Sequence, residues 1–160
     1  MCRSYKWILS LLVVSLLINF ILLFITYSYH NKINHVNENI LLSAVKSKIT
    51  YLSDTIISNS SEGWEKEFEV TIAIDDTLNA LGSFIIVGDD TEWLSENEQH
   101  ELWGFYRVID SSPPKSGTKY RVLSDAERIQ LIELAEMLKQ EDWKTIQSLD
   151  QFIQAISRLI

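Results

Sequence analysis

The hydrophobic pattern falls into two regimes. The first is one continuous apolar run, Trp7 to Tyr27, WILSLLVVSLLINFILLFITY, 21 residues without a charge, a glycine or a proline. At a helical rise of ~1.5 Å per residue it covers roughly 31 Å, enough for a bilayer core of about 30 Å. The run exceeds the ~7–15 apolar residues of a signal peptide, and no small-x-small cleavage site follows it, so an uncleaved anchor is expected. Trp7 at one end, with Tyr27 and Tyr29 at the other, fits an aromatic belt at both interfaces.

Four polar side chains interrupt the run: Ser10, Ser15, Asn19 and Thr26. Hydroxyls can bond back to a carbonyl one turn earlier and are tolerated in lipid. Asn19 carries donors and an acceptor near mid-span. With Ser15 one turn before it on the same face, it is the candidate for a contact between transmembrane helices. The plainer alternative is a bond to its own backbone.

The second regime is amphipathic. After a polar stretch, SYHNKINHVNEN, the residues Leu42, Val45, Ile49, Leu52 and Ile56 recur at alternating spacings of 3 and 4. This predicts a helix with a heptad-like seam, serving either a bundle core or a dimerising stalk. Ile146, Leu149, Ile153, Ile156 and Ile160 repeat the pattern at the end of the chain. The two helices are expected to pack antiparallel. Between them, Ser95 with Glu98 and Ser124 with Glu127 read as capping boxes that start two more helices. Gly88–Thr91 reads as a turn, and SSPPKSGTKY as the one clear loop, with Lys115, Lys119 and Arg121 as a local basic island.

Residues 67–74 are ambiguous. Phe68, Val70, Ile72 and Ile74 alternate with Glu69, Thr71 and Ala73, as in a half-buried strand. The wider segment, with Trp64, Phe68, Thr71, Leu78, Leu81 and Ile85 near one face, reads as a helix. A lone strand among helices has no partner, so helix is preferred. The expected fold is therefore all-α: one N-terminal transmembrane helix followed by a small helical bundle, with α+β as the alternative if 67–74 is a strand. The expected division is a cytoplasmic N-terminus at 1–6, a transmembrane helix at 7–27, a juxtamembrane stalk with the first amphipathic helix at 28–60, and the remaining helical domain at 61–160.

Charge adds an orientation. Arg3 and Lys6 precede the span, whereas Lys32 and then Lys46 are the first cations after it. This bias predicts the N-terminus inside and the C-terminal domain outside, with the plasma membrane favoured. From Ile33 onward there are 11 Lys/Arg against 22 Asp/Glu, a net of −11. So acidic a domain is not expected to bind nucleic acid. Cys2 is the only cysteine, so no intramolecular disulfide can form. Asn59-Ser60-Ser61 matches a glycosylation sequon.

Catalytic chemistry is hard to find. Glu96, His100 and Glu101 lie close on one predicted helix, but a metal site needs three or four ligands. Asp75-Asp76 and Asp89-Asp90 are paired acids, yet sequence neighbours on a helix point about 100° apart. If Asp75 is buried, Arg107, Lys119 or Arg128 is expected to pair with it. No nucleophile elbow, phosphate loop or dinucleotide fingerprint is present. Trp64, Trp93, Trp103, Tyr106 and Trp143 read as core anchors rather than a ligand cage. No catalytic residue, metal ligand or cofactor is expected. The leading reading is a single-pass, membrane-anchored, non-enzymatic interaction protein, partnered by the bilayer and by a membrane or envelope protein or a second copy. The alternatives are a sensory or ligand-binding ectodomain acting with a membrane partner, and a membrane-anchored hydrolase.

Overall fold

The computed structural model describes residues 2–113 and 122–160, with the backbone alone at 2–6, 8–10, 29–31, 33–35 and 37. Among the described residues it is all-helical: α1 Cys2–Ser61, α2 Glu67–Asp90, α3 Glu96–Asp110, α4 Asp125–Leu138 and α5 Leu149–Ser157. The chain divides into two compact units, Met1–Asn37 and Glu38–Ile160, and α1 contributes to both. The first proline is Pro113 and the first glycine Gly63, so nothing earlier forces a break in α1.

In the first unit, Leu11–Ser28 is long and apolar enough to cross a membrane, and none of it is buried within the protein. In a water-soluble fold such a stripe would face a core; here it is exposed on every side. α2 meets the same criterion of length and composition, but half of it is buried inside the second unit.

The second unit is a helical bundle around one core. Leu42, Val45, Ile49, Leu52 and Ile56 of α1 are all buried, so the first seam is a core face. Residues 67–74 are helical, and the strand alternative is overturned. The true period of α2 shows in its buried positions: Val70, Ala73, Ile74, Thr77, Leu78, Leu81, Phe84 and Ile85. Phe68 and Ile72 counterfeited a period of two because they are apolar yet exposed. The expected turn at Gly88–Thr91 starts later, since α2 continues to Asp90.

The terminal helix is shorter than its isoleucines imply. Thr145 donates both its N–H and its hydroxyl to the Asp142 carbonyl, closing a turn. Ser148 then caps α5 by accepting from the Gln151 N–H. Ile146 therefore precedes the helix and Ile160 follows it, with Ile160 exposed. The buried face is Phe152, Ala155 and Ile156, while Leu149 and Ile153 are half-buried. α5 packs chiefly on α3, and α3 on α2, in place of the expected antiparallel pairing of first and last amphipathic helices.

Aromatic rings tie these elements together. Phe84 meets Trp93 edge-on at 5.0 Å and Phe152 at 5.9 Å, and Phe152 meets Trp143 at 5.8 Å. Phe105 approaches Trp143 at 6.2 Å. Edge-to-face pairs of this kind add to plain burial. Trp64, Trp93 and Trp143 thus act as core anchors, whereas Trp103 is partly exposed beside Tyr106.

Candidate functional site

A concavity of the second unit runs along α1. Ser43, Lys46, Ser47, Thr50, Tyr51 and Asp54 recur at i, i+3, i+4, i+7, i+8 and i+11, so they share one helical face beside the buried seam. Trp143 and Lys144, from the connection between α4 and α5, supply the opposite wall. Together they enclose a groove of about 470 Å³. A second hollow of about 400 Å³ shares Thr50, Asp54, Trp143 and Lys144 and extends toward Lys139 and Glu141.

Each wall is fixed by its own bonds. Lys46 Nζ donates to the Ile146 carbonyl, joining α1 to the connection. Thr50 Oγ1 donates to the Lys46 carbonyl at 2.9 Å. Asp54 pairs with Lys139 at 3.3 Å, so the carboxylate of the groove has a cation beside it. Trp143 is 4% exposed and donates Nε1–H to the Leu138 carbonyl at 2.6 Å. The Lys144 N–H bonds to Asp142 Oδ1 at 3.2 Å, while its ammonium meets no carboxylate among the described residues. Next to the second hollow, Arg158 donates Nε–H and Nη2–H to the two oxygens of Glu141, both at 2.7 Å. These bonds hold the Glu141 carboxyl below its usual range and raise the Arg158 guanidinium.

Other residues singled out by sequence fall elsewhere. Asn19 Nδ2 donates to the Ser15 carbonyl at 3.0 Å, which is the local backbone bond. Thr26 does the same to Leu22 at 2.9 Å. Asp75 is half-buried, and no ion pair reaches it among the described residues. Its neighbour Asp76 takes Lys48 at 2.6 Å, and Arg128 goes to Glu67. Both Ser95 and Ser124 form the expected capping boxes. Glu96 and His100 stay exposed on α3, and Glu101 accepts from the Ser157 hydroxyl. Among the described residues no group of three or more His, Cys, Asp or Glu side chains comes together. Asn59 is buried, with its amide bonded to the Thr55 carbonyl, so the folded sequon presents no free amide. Lys115, Lys119 and Arg121 lie outside the described residues, as does the side chain of Cys2.

Sequence reading missed the groove. Lys46 and Ser47 lie off the α1 seam, and their partners Trp143 and Lys144 are distant in the chain. The available signal was the polar stripe beside the apolar one. No known protein family, curated protein or solved structure matches this chain.

Proposed function

We propose that the chain is a single-pass, membrane-anchored interaction protein without catalytic activity of its own. Its N-terminus is cytoplasmic and its acidic helical domain lies outside, at the plasma membrane. The observation that carries the reading is the contrast between the two units. The apolar side chains of Leu11–Tyr27 are exposed, whereas Leu42, Val45, Ile49, Leu52 and Ile56 of α1 are buried in a core. Exposed apolar surface of that length is stable in lipid and costly in water.

The partner is a membrane or envelope protein or a second copy. Two features support this. Asn19 retains its amide oxygen and one N–H after bonding Ser15, a capacity that a neighbouring helix can use. On α2, Phe68, Ile72 and Ile86 are exposed. Residues 18 apart stand about five turns apart, so Phe68 and Ile86 share one outer line, with Ile72 about 40° from it.

Affinity capture of the full-length protein from cross-linked native membranes tests the proposal. One stoichiometric membrane partner, or a second copy, is expected, and its yield should fall in Asn19→Leu or in Phe68→Ser/Ile86→Ser. Recovery unchanged by both variants, or no specific partner, would overturn it. Protease protection of the domain in inside-out vesicles tests the orientation; digestion there inverts it.

A further inference from the structure

We infer that the groove between α1 and the α4–α5 connection binds a small organic anion bearing a carboxylate or phosphate. This goes beyond the anchor-and-partner reading and does not depend on it. Cations are scarce in this domain, 11 Lys/Arg against 22 Asp/Glu from Ile33 onward. Two of them, Lys46 and Lys144, nevertheless line one hollow.

The charge inside the groove is not cancelled. Its carboxylate, Asp54, is already engaged by Lys139. Lys46 gives one N–H to the Ile146 carbonyl, and an ammonium has three, so two remain. Lys144 keeps all of its own among the described residues. Ser43, Ser47 and Tyr51 add hydroxyls to the same wall. An anion there would gain charge-assisted hydrogen bonds from two sides.

The site is also preorganised. The bond from Lys46 to Ile146 and the bond from Trp143 to Leu138 fix the two walls before any ligand arrives. Fixed walls lower the ordering cost of binding. A volume of about 470 Å³ suits a small molecule. The surrounding acidic field opposes polyanions, whose charge extends past the groove, more than it opposes one compact anionic group. Tyr51, half-exposed at the rim, gives a flat body something to rest on.

Isothermal titration of the full-length protein in non-ionic micelles tests this, with phenyl phosphate and benzoate as probes. Saturable one-to-one binding of at least one probe is expected, with a Kd of about 1 mM or tighter. Lys144→Glu and Ser47→Glu, both at exposed positions, should each weaken it by about tenfold or more, with the unfolding temperature unchanged. Arg107→Glu, on α3, should leave it intact. Displacement of the probe by micellar phosphatidylglycerol would assign the anion to a lipid headgroup, and no displacement to a free solute; both uphold the site. Absence of saturation up to about 10 mM, or equal weakening by Arg107→Glu, would overturn it.

Discussion

Arg128 holds Glu67 with two N–H groups: Nε at 3.0 Å and Nη2 at 2.6 Å, both to Oε1. The other oxygen of Glu67 accepts from the Leu123 N–H at 2.9 Å. One carboxylate thus joins the first turn of α2, the chain entering α4, and α4 itself. The N-cap residue of α2, Lys66, gives no side-chain cap, so the negative charges of Glu67 and Glu69 in the first turn are what complement this helix end. The Arg128 guanidinium also lies 5.9 Å from the Trp64 ring centre, which makes the cluster partly apolar.

Replacing Glu67 by Gln should therefore cost more than an ordinary surface change. The pair is mostly shielded, with side-chain exposures of 28% for Arg128 and 13% for Glu67. Loss of the charge-assisted bonds is expected to destabilise by about 1.5–3 kcal/mol. Glu65→Gln, two residues away and exposed, should stay within about 0.5 kcal/mol. Urea unfolding of the full-length protein in micelles compares the two. Equal effects would show that the cluster contributes nothing specific.

The glycines of α2 predict opposite signs. A Cβ on Gly82 would meet only Tyr106 Cε2, at 3.8 Å, an ordinary contact. Gly82→Ala should stabilise by about 0.5–1 kcal/mol through helix propensity. A Cβ on Gly88 would stand 2.5 Å from Leu94 Cγ. Leu94 is buried, and its N–H bonds to the Gly88 carbonyl at 3.2 Å, so it cannot easily retreat. Overpacking of about 1–3 kcal/mol should outweigh the propensity gain in Gly88→Ala. Thermal unfolding of both variants decides the matter; a stabilised Gly88→Ala would refute the packing.

Asn59 organises the turn after α1. Its Nδ2 donates to the Thr55 carbonyl at 3.1 Å and its Oδ1 accepts from the Lys66 N–H at 3.1 Å. The Trp64 N–H bonds to its main-chain oxygen at 2.7 Å. Gly63 and Trp64 both take positive φ, 76° and 65°, an arrangement that needs such external support at the tryptophan. Asn59→Ala should cost about 1–3 kcal/mol by leaving the Lys66 N–H without its acceptor. Hydrogen exchange across 62–66 should speed up in the variant, and unchanged exchange would count against this role.

How much of this was legible in the sequence depends on the range of the signal. The α1 seam and the two serine capping boxes are local, and each occurs as spaced. Helix was the preferred reading of 67–74 and occurs, with its period carried by Val70, Ala73, Ile74, Thr77 and Leu78; Phe68 and Ile72 kept the strand alternative open because exposed apolar residues carry no period of their own. The end of the chain misled differently. Five isoleucines and leucines in register drew attention from Ser148 and Gln151, which mark the start of α5. Only one wall of the groove was legible, as the polar stripe beside the α1 seam, because Lys46 and Lys144 come to line one hollow only through tertiary packing.

The pairing of Glu141 with Arg158 predicts an acid-dependent loss of stability. The two hydrogen bonds from Arg158 hold the Glu141 carboxyl below its ordinary value of 4.5. A carboxyl with a lowered folded pKa stabilises the fold fully above its ordinary value. That contribution fades as pH falls through 4.5 toward the folded value, because the unfolded chain then binds the proton more readily. Glu141→Gln removes the titration. At about pH 7 the variant should unfold at a lower temperature than the wild type, and the gap should narrow and then close as pH falls below 4.5. Arg158→Gln should reproduce both the deficit and its disappearance, since either change dissolves the same pair. Unfolding curves of the full-length protein in micelles, taken across that range, measure the gap. A gap constant with pH would mean that packing around Glu141, and not its charge, accounts for the difference.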